Sequence, residues 1–372
     1  MLYYLSQLTE VLHSSELAKV FHVFQYISFR AMGAGLTSFL LCLFFGKIVI
    51  KRLIKLKVGQ PIRTADEVHE LNTLHHRKEG TPTMGGLLLI GAVILSSLFW
   101  ARPTNPLVWI LLFTAAYLCA LGFADDYLKV TKKKSAGISS RLKFLLQTLL
   151  ALIVTLFFCF MPSLAAQAQQ LYLPFFKEPV IAHLGVLTFV FYLLIIVGSS
   201  NAVNLTDGLD GLAAGCTVIA AVAYAVFNYV AGNLKIATYL EIPHNSYSGE
   251  LAVVSMALAG AALGFLWWNC FPASVFMGDT GSLAIGGMLG VLAISCKQEL
   301  ILIIIGGVFV AEALSVILQV ASFQTTGRRI FKMSPLHHHF ELSGWKESTV
   351  TVRFWIMAII LGIIGLGTLK LR

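Results

Sequence analysis

Leu107-Val-Trp-Ile-Leu-Leu-Phe-Thr-Ala-Ala-Tyr-Leu-Cys-Ala-Leu-Gly-Phe-Ala-Asp-Asp126 carries no charge from Leu107 to Ala124 and then ends on two adjacent carboxylates. An apolar run of this length crosses the hydrocarbon of a bilayer as a helix. A carboxylate at the centre of such a helix costs about 2.5–3.5 kcal/mol, and intramembrane charges usually mark function. The pair at 125–126 therefore points to chemistry at one membrane surface. Neighbours on a helix diverge by about 100°, so the two side chains have separate tasks. Adjacent carboxylates also repel unless a cation intervenes. A divalent metal, or Lys129 one turn on, would supply it.

The rest of the chain follows the same pattern. Of 372 residues, 57% are hydrophobic and only 12% charged, about half the charged share of a soluble domain. Apolar stretches at 27–50, 84–100, 107–126, 144–162, 183–203, 212–231, 250–268, 281–296, 299–322 and 350–369 predict ten spans in one polytopic domain, residues 1–372. The expected fold is all-α and integral to the membrane. The boundary between 281–296 and 299–322 is soft, because only Lys297 and Gln298 interrupt it. Absence of a basic cluster before the first span argues against a cleavable signal peptide.

The net charge of +9 does not require nucleic acid. Cytoplasmic loops collect lysine and arginine, and here the cations cluster at 51–78, 129–143 and 328–346. Arg102, Lys177, Lys235 and Lys297 stand alone in the alternate loops. Loops after odd-numbered spans then face the cytoplasm, and ten spans leave both termini outside. The six cysteines lie in or beside apolar segments without metal-site spacing and read as core residues. No repeat or pair of interrupted helices of the kind found in transporters is visible. An ion-coupled transporter would place its ionisable groups near the midplane; here they lie at one interface.

Five predicted cytoplasmic loops hold the reactive side chains. His76-Arg-Lys-Glu-Gly-Thr-Pro-Thr-Met-Gly-Gly86 offers Lys78 and Thr83 before a helix start, which suits phosphate. It lacks the Walker A order. The second loop follows Asp125 and Asp126 and leads to Lys143, which opens span four and is placed for an anionic lipid head group. Asn201-Ala-Val-Asn-Leu-Thr-Asp-Gly-Leu-Asp-Gly211 predicts a helix ending near Asn204 and a glycine turn, presenting Asn204, Asp207, Gly208 and Asp210. Asn269 and Phe276-Met-Gly-Asp-Thr-Gly281 form the fourth; Asp279 reads as a magnesium ligand or a helix cap, and Phe276 as a surface for a planar base. The fifth holds His337, His338 and His339. Three consecutive histidines do not converge on one zinc ion, so contacts to phosphate or a leaving group fit better. Glu312, inside span nine, faces the protein interior in a structural role, and Gln319 lies two turns nearer the cytoplasm, within reach of the site.

Carboxylates, amides, lysines and histidines at one interface suit magnesium and phosphate. Positioning and charge neutralisation then do most of the chemistry. The motifs Gly80–Gly86, Phe123–Tyr127, Asn201–Gly211, Phe276–Gly281 and Pro335–Phe340 closely resemble those of the phospho-N-acetylmuramoyl-pentapeptide transferases. These are a branch of the polyprenyl-phosphate N-acetylhexosamine-phosphate transferases. The aspartate motifs belong to the whole superfamily, whereas the histidine triplet is specific to the muramoyl-pentapeptide branch and argues against a sister enzyme moving N-acetylglucosamine-1-phosphate. The resemblance implies a homodimer of ten-helix subunits in the bacterial cytoplasmic membrane. Its substrates would be UDP-N-acetylmuramoyl-pentapeptide and undecaprenyl phosphate, and its products lipid I and UMP. It further implies Mg2+ on Asp279, catalytic roles for Asp125, Asp126, Asp279 and His337, and a nucleotide pocket shaped by Lys78, Thr83, Asn204, Asp207, Gly208, Asp210, Asn269 and Phe276. His338 lies beside the pyrophosphate, and Lys143, Gln319 and His339 belong with the substrate-binding residues.

Overall fold

A computed structural model describes residues 2–7, 21–55, 80–132 and 137–371. The main helices are α1 (Ile27–Lys55), α2 (Gly86–Trp100), α3 (Pro106–Lys132), α4 (Ser140–Phe160), α5 (Leu187–Thr206), α6 (Leu212–Gly232), α7 (Ser248–Asn269), α8 (Gly278–Ser295), α9 (Gly307–Thr326), the short α10 (Leu336–Glu341) and α11 (Glu347–Gly367). Among the described residues, nine are long and apolar enough to cross a membrane. The tenth expected span, α2, has 15 residues and a length of only about 22 Å. The protein is an all-helical integral membrane protein. An isolated antiparallel bridge joins Leu171 to Ile181 between α4 and α5.

The helices differ in what surrounds them. Every residue of α8 from Thr280 to Ser295 is buried, and α7 is buried along most of its length. By contrast α1, α9 and α11 turn large apolar side chains outward, among them Phe44, Ile317 and Ile363. Without a hydrophobic drive between helices in lipid, close packing of small residues holds such a bundle together. In α8, Gly286 and Gly290 meet Ser199 and Ser200 of α5, while Gly287 meets Leu118 of α3. α8 is thus wedged between α3 and α5, which places its first turn beside the carboxylates in the C-terminal part of α3.

The soft boundary after α8 resolves into a tight turn. Lys297 adopts a positive φ of 54°, and the helical path resumes at Leu302–Ile305 and again at Gly307. Near the starts of α1 and α7, at the end of α3 far from Asp125, the buried Arg30 donates to both Glu250 carboxylate oxygens, at 2.7 Å for Nη1. The Arg102 amide also donates to Glu250, at 2.9 Å. With both charges paired and hydrogen-bonded, this ion pair is tolerable inside the bundle.

Candidate active site

The first four N–H groups of a helix have no partner within it. At the start of α8 they are met by carboxylates from elsewhere. Asp207, the residue that ends α5, accepts from the Gly278 N–H at 3.1 Å. Asp126 of α3 accepts from the Asp279 N–H at 3.3 Å, from the Thr280 N–H at 3.0 Å and from the Thr280 hydroxyl at 2.7 Å. The positive end of the helix dipole favours both anions. Asp279 itself does not cap the helix. Its side chain is left for other partners.

Those partners are cations and an amide. Lys143 Nζ lies 2.7 Å and Lys129 Nζ 3.1 Å from Asp279 Oδ2. Asn204 Nδ2 donates to Asp279 Oδ1 at 2.7 Å and to Ser282 Oγ at 2.9 Å. Lys129 also pairs with Asp125 Oδ2 at 2.6 Å, and the other oxygen of Asp125 accepts from the Ile138 N–H at 2.6 Å. The adjacent aspartates thus divide their work, as their angular separation required: Asp126 holds a helix end and Asp125 joins the lysine network. Carboxylate oxygens of Asp125, Asp126 and Asp279 lie within 4.8 Å of one another. Such a set of hard oxygen donors suits Mg2+. Asp207 is half-buried; burial first, then the negative charge of Asp279, push its carboxyl well above the usual range.

The proximity of α3 to α8 depends on Gly122, one turn before Asp126. A Cβ at 122 would collide with the Asp279 carbonyl and the Thr280 amide. Gly122→Ala therefore pushes the two helix ends apart. Small misplacements of reacting groups cost about 10²-fold in rate, and a loss of this order is expected in turnover with the protein still inserted and monodisperse. Near-normal turnover would show that this contact is not limiting.

Two loops clamp the approach to α8. The Gly85 N–H donates to Phe276 O at 2.8 Å, the Gly86 N–H to Met277 O at 2.9 Å and the Phe276 N–H to Pro82 O at 2.8 Å. The threonine-glycine loop before α2 and the loop before α8 are thereby locked together. Their joined ends border a cleft of about 970 Å³, lined by Thr83, Asp125, Asp126, Lys129, Lys143, Asn204, Asp207, Gly208, Asp279, His337 and His338. This volume is that of a drug- or nucleotide-sized site.

Other expected site residues stand behind this lining. Asp210 accepts from the Ala273 N–H at 3.0 Å, and Asn269 bridges the Gly211 N–H and the Val275 carbonyl. Together they tie the glycine turn after α5 to the loop before α8. Phe276 contributes its backbone to the loop clamp. Gln319 binds the backbone of Ile330 and Phe331, so it anchors the segment leading to the histidines instead of lining the cleft. His339 accepts from the Lys332 N–H at 3.2 Å and packs between the rings of Phe331 and Phe340. His338 contacts Glu341 at 2.9 Å while lining the cleft. Lys78 lies outside the described residues. Gln147, which also lines the cleft and bonds Ser200 and Asn201, was not among the expected residues; a glutamine two turns into an apolar helix was its only signal.

A model of glycosyl transferase family 4 matches residues 108–297, and a phospho-N-acetylmuramoyl-pentapeptide-transferase signature matches residues 78–90. The phospho-N-acetylmuramoyl-pentapeptide-transferase of Methylacidiphilum infernorum is 52% identical over 372 residues, covering all of both chains. That of Citrifermentans bemidjiense is 49% identical over 354 residues, 95% of this chain and 96% of its own. That of Desulfotalea psychrophila is 51% identical over 353 residues, with the same coverage. By identity sustained over its whole length, the chain belongs to the phospho-N-acetylmuramoyl-pentapeptide-transferase family.

Proposed function

We propose that the protein transfers phospho-N-acetylmuramoyl-pentapeptide from its UDP-linked precursor to undecaprenyl phosphate, giving lipid I and UMP. It would act as a homodimer in the bacterial cytoplasmic membrane, with both termini outside and the cleft open to the cytoplasm. The observation that carries this reading is the meeting of three carboxylates, two lysines and a histidine pair around one cleft at the end of a membrane bundle. A soluble sugar nucleotide and a lipid phosphate can both reach that position.

The residues assign themselves by chemistry. Lys129 and Lys143 exchange their carboxylate partners for phosphate oxygens, which neutralises the two anionic substrates as they approach. Asp125 takes the proton of the lipid phosphate. The freed oxygen attacks the β-phosphorus of the nucleotide sugar; the bond to the bridging oxygen breaks and UMP leaves with the electron pair. Asn204, Asp207 and Thr83 hold the nucleotide, and His337 and His338 stand by the pyrophosphate. Asp279, with Asp125 beside it, would hold Mg2+. When bound, the ion supplies charge neutralisation at the pyrophosphate.

The test is release of UMP by the purified protein from each UDP-sugar separately, with undecaprenyl phosphate as acceptor. UDP-N-acetylmuramoyl-pentapeptide is expected to turn over, and UDP-N-acetylglucosamine is not. Excess EDTA is expected to stop the reaction and added Mg2+ to restore it. Undiminished turnover in EDTA would remove the metal from the scheme.

A further inference from the structure

Glu312 is an uncommon residue: a carboxylate inside a membrane helix with no exposed surface. Such a group persists when it is paired, and it often marks function. Its two oxygens both meet one residue. Oε1 accepts the backbone N–H of His337 at 3.2 Å, and Oε2 lies 3.2 Å from Nδ1 of the same ring. His337 is itself only 1% exposed, yet it lines the cleft. At the far side of the ring, Nε2 lies against Gly208, where any Cβ would collide with it. Among the described residues Nε2, Nδ1 and Glu312 Oε2 all lack a well-aligned hydrogen bond; for Nδ1 the carboxylate oxygen at 3.2 Å is the charged partner.

We infer that Glu312 is a positioning residue for His337: it holds a proton on Nδ1 and thereby leaves Nε2 as the ring nitrogen presented beside Gly208 to the substrate phosphates. This rests on the transfer reading above. The logic is that of any histidine whose second nitrogen sets the chemistry of the first. The pairing also explains why the residue is glutamate. The backbone N–H of His337 donates to one carboxylate oxygen, and with the proton on Nδ1 the ring turns a second donor toward the other, so both ends of that side chain must accept. A glutamine has only one oxygen. If this takes the backbone N–H, the amide NH₂ faces Nδ1 and selects the opposite tautomer, with the proton on Nε2.

Two measurements on the full-length protein test this. The first is the ¹⁵N spectrum of the ring nitrogens in histidine-labelled protein, recorded without substrate and assigned by loss of signals in His337→Gln. A proton-bearing Nδ1 in wild type is expected; an unprotonated Nδ1 overturns the proposal, and this needs no variant of Glu312. The second is Glu312→Gln, for which a fall in kcat of about 10–100-fold is expected, with KM for the UDP-linked substrate within twofold and the ring switched to the Nε2–H form. An unchanged tautomer with unchanged kcat overturns it. If wild-type protein released no UMP at all, the transfer reading would fall while the tautomer measurement still judged the pairing.

Discussion

Asp279→Asn is expected to lower UMP release by about 10³-fold while the protein remains folded, a loss at the upper end of those seen when one charge-stabilising group is removed from an active site. The reason lies in how its two oxygens are used. Oδ2 receives Lys129 and Lys143, and Oδ1 receives the Asn204 amide. An asparagine has one oxygen for these three donors. Its NH₂ group would face either the lysines or the Asn204 amide, and either arrangement turns a hydrogen bond into a repulsion. The substitution also removes the negative charge and a hard oxygen ligand from the place proposed for Mg2+. The fold does not depend on this side chain in the same way. The helix end is held through the backbone N–H of Asp279, which Asp126 keeps. A radiolabelled UMP-release assay at saturating substrates, beside a size-exclusion profile and a far-ultraviolet dichroism spectrum, checks both halves. Activity within tenfold of wild type would remove Asp279 from the reacting centre.

The spans and the identity of the interacting loops were legible in the sequence because each rests on a one-dimensional signal. Apolar length marks a membrane helix, and the alternation of basic loops marks a side. Those two patterns alone were enough to gather Asp125, Asp279 and His337 into one expected site, and the geometry brings them around one cleft. The partners within the site were not legible, because they depend on helix packing. Nothing in the local sequence shows that Asp126 and Asp207 complete the first turn of α8, a helix that begins more than sixty residues later. The chain offers Asp279 as the obvious cap, being in that turn, yet the helix end does not use its side chain. Gln319 likewise sits at a reachable depth, but its amide is taken by the backbone at 330–331. Glu312 was readable as interior and structural from its place in an apolar run; only the fold shows that its partner is His337. Short α2 also departs from the hydropathy reading, since the clamp between the loops at 82–86 and 276–277 sets where that helix begins.

The adjacent aspartates provide the second large effect, and a way to separate the two roles. Asp125→Asn and Asp126→Asn are both expected to depress UMP release, by about 10²–10⁴-fold where a proton-transfer group is lost, but only the second is expected to destabilise the fold. Asp125 uses one oxygen for the Ile138 N–H, and an amide oxygen can replace it. The ion pair it loses is to Lys129, whose side chain is 30% exposed and retains Asp279. Partly exposed pairs of this kind contribute about 0–1 kcal/mol, so the unfolding midpoint should scarcely move. Asp126 is buried and accepts from two N–H groups and a hydroxyl of α8. Asparagine leaves at least one of those buried donors facing an NH₂ group, at a cost of about 1–3 kcal/mol, and gives up the attraction of a full charge to the helix end. Thermal unfolding of the three proteins in the same detergent, followed by the loss of monodisperse protein on heating, reads the difference directly. A midpoint for Asp126→Asn equal to that of Asp125→Asn would mean that the helix end tolerates a neutral cap. In that case Asp126, like Asp125, would have to be assigned to the reacting phosphates.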